Sequence, residues 1–171
     1  MAEELQHLIR AAQAGDLASF ARLHAQFVGR AYSVCLRLLV DVQKAEDACQ
    51  ETFIKVWQQL PQFRGDSAFG TWLHRIATHT AIDLWRKDKL LRLVDEGEPD
   101  SQVAPPDEGV PKDLEKAIAA LPRQARAVFV LFAIEGFTHA EIAGLLEIAE
   151  GSSKAHYHRA RQLLQESLSE R

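Results

Sequence analysis

The segment VDEGEPDSQVAPPDEGVP, residues 94–111, limits the possible folds more than any other stretch of this 171-residue chain. It holds four of the six prolines and few large apolar side chains, so it cannot bury enough surface to offset its own ordering entropy. The sequence on each side must therefore close a core of its own. Charge divides at the same place. Residues 1–86 carry nine basic and nine acidic side chains, residues 114–171 carry seven and seven, and the intervening 87–113 carry four and eight. The formal net charge of −4 thus sits entirely in the middle, and any site for a polyanion must be local. These features read as a flexible acidic linker over 88–112 joining a domain at 1–87 to a second at 113–171.

Both flanks have helical periodicity. Asp16 stands as a cap before DLASFARLHAQFVGRAYSVCLRLL, in which Leu17, Phe20, Leu23, Phe27 and Ala31 keep three-and-four spacing. AEDACQETFIKVWQQL comes next, with Ala45, Cys49, Phe53, Val56, Trp57 and Leu60 on one side and Asp47, Gln50, Glu51 and Ile54 on the other. Pro61 and Gly65 interrupt the pattern, and SAFGTWLHRIATHTAIDLWRK resumes it through Phe69, Trp72, Leu73, Ile76 and Leu84. No strand alternation occurs, so a compact helical bundle is expected, with the first residues frayed.

Beyond the linker, DLEKAIAAL and PRQARAVFVLFAIEG read as helices, the latter with Pro122 at its start and Gly136 past its end. THAEIAGLL opens with Thr138 and Glu141 in capping-box spacing, which satisfies two backbone donors reciprocally. The run GSSKAHYHRARQLL, residues 151–164, then contains no acid at all. A capped short helix, a turn and a basic helix make a helix-turn-helix. About ten exposed residues give a rod of roughly 15 Å, suited to a major groove. Ser152 and the leading amides are placed for a backbone phosphate, and Lys154 and Arg159 reach further. The fold class is all-α: two helical domains joined by a flexible acidic linker, the second with a helix-turn-helix.

Other classes are disfavoured. The longest apolar run, 127–134, falls far short of the ~20 residues of a membrane helix, and the acidic start MAEELQHLIR reads as neither a secretory signal nor a transit peptide. A soluble, cytoplasmic protein is expected. Cys35 and Cys49 lie in apolar-periodic segments without a CxxC neighbour, as buried free thiols do. His156 with His158, and His79 with Asp83, offer no further metal ligands by spacing, and no phosphate-binding or nucleophile motif occurs. Neither a cofactor nor an enzymatic activity is expected.

These motifs together resemble the bacterial extracytoplasmic-function alternative sigma factors of the sigma-70 family. AEDACQETFIKVW resembles region two point two, FRGDSAFGTWLHRIATHTAIDLWRK the promoter-melting region after it, and LPRQARAVFVLFAIEGFTHAEIAGLLEIAEGSSKAHYHRAR region four. The resemblance implies that Asp47, Gln50, Glu51 and Ile54 dock on the coiled coil of the RNA polymerase largest subunit. It implies that Phe63, Arg64, Gly65, Asp66 and Ser67 capture a flipped minus-ten base, and that Arg75, Thr78, His79 and Arg86 track the single strand. It places Arg126, Ser152, Lys154, His156, His158 and Arg159 at the minus-thirty-five element. The implied partners are core RNA polymerase, through the coiled coil and the flap region, promoter DNA and an anti-sigma factor. The free chain is expected to be a monomer.

The sequence departs from the family pattern at several positions. His79 replaces the usual asparagine, Glu147 the usual turn glycine, Ala149 a frequent capping serine, and His156 and Tyr157 the common arginine and leucine. A dimeric helix-turn-helix regulator would instead bind an operator without polymerase. A purely protein-binding helical adaptor would leave Lys154, Arg159 and Arg161 without a role.

Overall fold

The computed structural model describes residues 2–92 and 110–170, and among them every regular element is helical. The first half comprises α1 (Ala2–Gln13), α2 (Leu17–Leu39), α3 (Val42–Gln59) and α4 (Phe69–Arg92), with α2 touching the other three. The second comprises α5 (Lys112–Ala119), α6 (Arg123–Phe129), α7 (His139–Leu146) and α8 (Glu150–Ser169), and here α8 packs on the other three. All-α architecture in two helical regions agrees with the sequence pattern.

Local chemistry sets the boundaries. Asp16 starts α2 by accepting the Ser19 amide at 3.2 Å, and Asp41 starts α3 by accepting the Lys44 amide at 2.9 Å. Between α2 and α3, Val40 adopts φ 49°, ψ 42°, a left-handed conformation that is costly for a β-branched residue. Two things compensate: its side chain is buried, and its amide donates to Leu36 O at 2.8 Å. After α3, a 3-10 turn at Leu60–Gln62 carries Pro61.

The first described residues, expected to fray, form helix α1. Leu8, Ile9 and Ala12 are buried where α1 packs on α2, and their three-and-four spacing is the cause. Ala45, Cys49, Phe53 and Val56 of α3, and Leu60 just after it, are buried as the periodic reading expects, while Trp57 is half-buried. On α2, Leu17 departs from it, being 68% exposed.

Residues 88–92, which composition groups with the linker, belong to α4. Within that stretch Asp88 pairs with Lys44 at 2.6 Å and lies 3.6 Å from Arg123. α5 starts at Lys112, and residues 93–109 lie outside the described residues.

The two helical sets pack together through named pairs. Arg37 of α2 meets Glu115 of α5 at 2.8 Å, and His74 of α4 pairs with Glu135. Arg123 donates to Trp85 O and lies 4.4 Å from the Trp85 ring centroid. Trp85 itself is 1% exposed.

In the second set, Pro122 occupies the cap position of α6, one residue earlier than the helix proper. α6 runs into a π turn at Val130–Ile134, in which the Glu135 amide reaches Val130 O at 3.0 Å, and Gly136 at φ 77° ends it. The capping box forms as read: Thr138 accepts the Glu141 amide at 3.1 Å and Glu141 accepts the Thr138 amide at 3.2 Å.

Candidate functional site

Three surfaces carry the residues singled out by the sequence. The first is a groove of about 730 Å³ between α2 and α3. Its α3 wall holds Asp47, Gln50 and Ile54, and its α2 wall adds Leu17, His24 and Tyr32. Ile54 is 53% exposed, an apolar contact in an acidic rim. Glu51 is also exposed, 3.5 Å from Lys55. Burial, and then the Glu46 carboxylate, push the Tyr32 phenol above its ordinary value, so it stays a proton donor. The α2 wall was missed by sequence reasoning because Leu17 fits the buried stripe by spacing. In the structure it stands in the first turn of α2, 68% exposed on the groove it shares with α3.

The second surface is the loop after the 3-10 turn and the adjoining face of α4. Gly65 takes φ 80°, a conformation that requires glycine, and an added Cβ there would meet nothing within 4 Å. Arg64, Gly65 and Asp66 are exposed, and Ser67 is half-buried. Phe63 is half-buried, with its ring centroid 5.6 Å from Phe69 and 4.8 Å from Trp72. It belongs to an aromatic cluster before it belongs to any ligand. Phe69 is core, as expected.

Along α4, Arg75 and His79 are exposed one turn apart. Two of their expected companions lie elsewhere. Thr78 is 1% exposed and donates to His74 O at 2.9 Å, so it faces the interior rather than a strand. The reason is rotational: residues 75 and 79 share a face, and 78 sits at the margin where α4 meets its neighbours. Arg86 is half-buried, donates to Asp83 at 2.7 Å and to Leu145 O at 3.1 Å, and approaches Glu147 at 3.5 Å. It is engaged between α4 and α7.

The third surface is α8. Ala160 and Leu164 are buried and fix its inner side, while Ser152, Lys154, His158 and Arg159 are exposed and His156 is half-buried. Ser153, next to Ser152, points inward and meets His139 Nδ1 at 2.8 Å. That histidine stacks on Phe132 with centroids 4.3 Å apart, and Tyr157 covers Phe132 at 4.6 Å. Tyr157 is therefore a packing residue of the helix-turn-helix. Arg126 departs from expectation: it is 6% exposed and donates to Leu121 O at 3.2 Å, which places it inside the domain instead of on the α8 face.

The departures in the turn have visible geometry. Glu147 adopts φ 59°, ψ 46°, the left-handed conformation that glycine fills without strain. Ala149 precedes α8 and supplies no side-chain cap. Glu150, just before the acid-free run, lies 3.7 Å from Lys154.

Both cysteines are buried free thiols, and burial raises both, Cys49 to about 11 and Cys35 further. Among the described residues no helix is long and apolar enough to cross a membrane.

Comparison with known proteins agrees with this arrangement. The profile of Sigma-70 region 2 matches residues 23–90, and that of Sigma-70, region 4 matches residues 112–164. The RNA polymerase sigma-H factor of Pseudomonas aeruginosa is 32% identical, over 97% of this chain and 94% of its own length. The ECF RNA polymerase sigma factor SigW of Bacillus subtilis is also 32% identical, over 94% of each. Among solved structures, the sigma factor RpoE in complex with the anti-sigma factor NepR from Bartonella quintana aligns with a TM-score of 0.58 at 26% identity, covering 90% of this chain and 98% of that one. With both regions matched in order and relatives aligned nearly end to end, the chain belongs to the ECF sigma factors of the sigma-70 family.

Proposed function

We propose that this protein is an alternative sigma factor that binds core RNA polymerase and directs promoter-specific initiation. The observation that carries this reading is the presence, in one chain, of an acidic apolar groove on α2 and α3 and an exposed basic face on α8. In this reading Asp47, Gln50, Glu51 and Ile54 meet the polymerase coiled coil, where carboxylates steer a basic helical partner and Ile54 is buried on contact. The loop at 63–67, with Arg75 and His79, holds the melted minus-ten strand through stacking and phosphate contacts. Ser152, Lys154, His156, His158 and Arg159 meet the minus-thirty-five duplex, while region four also contacts the polymerase flap.

Neither half is strongly basic, so each binds DNA weakly alone, and both act together once polymerase fixes their spacing. The chemistry of RNA synthesis belongs to the polymerase, and the protein works in the cytoplasm beside it without a cofactor. The solved relative with NepR supports an anti-sigma partner for this chain too.

The deciding experiment is run-off transcription with bacterial core polymerase over a pool of promoters. Products sharing a pair of upstream elements are expected only when the protein is added. Tight, sequence-specific duplex binding by the chain alone at physiological salt, with no association to core enzyme, would overturn the reading.

A further inference from the structure

The first turn of α8 starts without a side-chain cap, since Ala149 stands at the cap position, yet it carries Ser152 and Lys154 of the exposed basic face. Something other than a cap must hold that turn. Three residues of α8 are buried, Ser153, Ala160 and Leu164, and at about 100° per residue they fall within about 40° of one another around the axis. They define the inner edge of the helix. The two apolar ones lie roughly 10 Å and 16 Å further along, so of the three only Ser153 acts on the first turn. It is 0% exposed, and its Oγ lies 2.8 Å from His139 Nδ1.

His139 is itself fixed twice. It is the first residue of α7, directly after Thr138 and its capping box, and its ring stacks on Phe132 at 4.3 Å with an interplanar angle of 13°. Tyr157, one turn after Ser153, closes over both rings, 4.6 Å from Phe132 and 5.8 Å from His139. The hydrogen bond therefore joins a ring held by packing to the polar member of the inner edge of α8.

We infer that His139 and Ser153 are a positioning pair that sets the rotation of the first turn of α8 and so aims Ser152 and Lys154 at the upstream duplex. The inference rests on the sigma-factor reading of the chain. Ser152 and Lys154 stand about 100° to either side of Ser153, so a roll of the turn about its axis carries both off the groove. Apolar burial is non-directional, whereas a hydrogen bond is limited in both distance and angle. The polar pair therefore fixes a rotation that Ala160 and Leu164, further along the helix, do not. Ser153 is buried, so the pair acts through its neighbours and not by touching DNA.

The test uses holoenzyme reconstituted with the full chain, on a promoter found in the run-off pool and on the same promoter with its upstream element scrambled. The ratio of the two outputs measures what the upstream element contributes. S153A and H139F are expected to lower that ratio about fivefold, the lower end of what one base pair is worth, with core affinity and scrambled-promoter output as in the wild type. H139F keeps a ring against Phe132, so its thermal midpoint is expected to hold. H139N is expected to do the reverse: its side-chain amide reaches Ser153 from the place of Nδ1 and keeps the ratio, while the lost stacking lowers the midpoint. A merely structural histidine would rank the variants by midpoint, with H139N the worse of the two. A wild-type ratio in S153A or H139F, or a ratio in H139N as low as in S153A, overturns the inference and leaves the sigma reading intact. Wild-type output that ignores the scrambling overturns the assignment of α8 to the upstream element together with the inference, and absence of any wild-type product overturns the sigma reading itself.

Discussion

Arg37 and Glu115 form an ion pair at 2.8 Å with side chains only 8% and 2% exposed, and they come from opposite halves of the chain. A buried pair is a poor stabiliser relative to apolar packing, but removing one partner strands the other in a low-dielectric site. Arg37→Ala, which leaves the Glu115 carboxylate buried without its guanidinium, is therefore expected to cost about 3–5 kcal/mol, seen as earlier urea unfolding. The double variant R37M/E115L is expected to recover most of that loss, because both charges leave together. A double-mutant cycle on the two single variants and the double measures the coupling.

Glu51 is exposed on the α3 face, and its ion partner among the described residues is Lys55, one turn away on the same helix. Exposed pairs of this kind are worth about 0–1 kcal/mol, so Glu51→Lys should leave the thermal midpoint nearly unchanged. Core polymerase binding is expected to fall at least about tenfold, since the reversal places a cation against a basic partner. A pull-down with core enzyme and run-off transcription read the two outcomes separately.

The turn before α8 combines a left-handed glutamate with an uncapped helix start. Glu147→Gly is expected to stabilise by about 0.5–1 kcal/mol, the left-handed strain relieved less the extra backbone entropy of glycine. Ala149→Ser adds a side-chain cap worth about 1 kcal/mol. Calorimetry of the two variants checks both, and a drop in the midpoint for either contradicts the strain or the missing cap assigned to that position.

Cys35 and Cys49 are held protonated by burial. Alkylating reagents at pH 8 are expected to label neither in the folded protein and both in denaturant, with mass spectrometry as the readout. The pH dependence has a definite sign. A thiol whose folded value is raised contributes stability that is complete below its unfolded value of about 8.5 and declines as pH rises above it, because the unfolded state ionises first. The thiol contribution to stability should therefore fall between about pH 8.5 and 11, and C49S should reduce the slope.

Much of this fold is legible from periodicity and caps alone. Asp16, the box formed by Thr138 and Glu141, and the buried rows of α3 and α8 all depend on interactions within a few residues, which a linear pattern records. Tertiary consequences are less visible. Asp88, inside a stretch that composition groups with the linker, is held by Lys44 and Arg123 from distant segments, and spacing cannot show that. The burial of Thr78 and Arg126 is likewise set by which neighbour covers each helix. At the candidate site, the acidic α3 face and the basic α8 face could be read from residue type. The α2 wall of the groove and the α1 wall of the cavity beside the 63–67 loop are contributed by distant segments and emerge only when the helices are packed.

The wide π turn at Val130–Ile134 also sets the rotational phase of the chain beyond it. It holds one residue more than an α-turn would, and each residue of a helix advances the chain by about 100° around its axis. Deleting Ala133 would restore regular winding but swing Glu135 about a quarter-turn or more away from His74. The extra residue thus helps set the direction from which Glu135 meets His74.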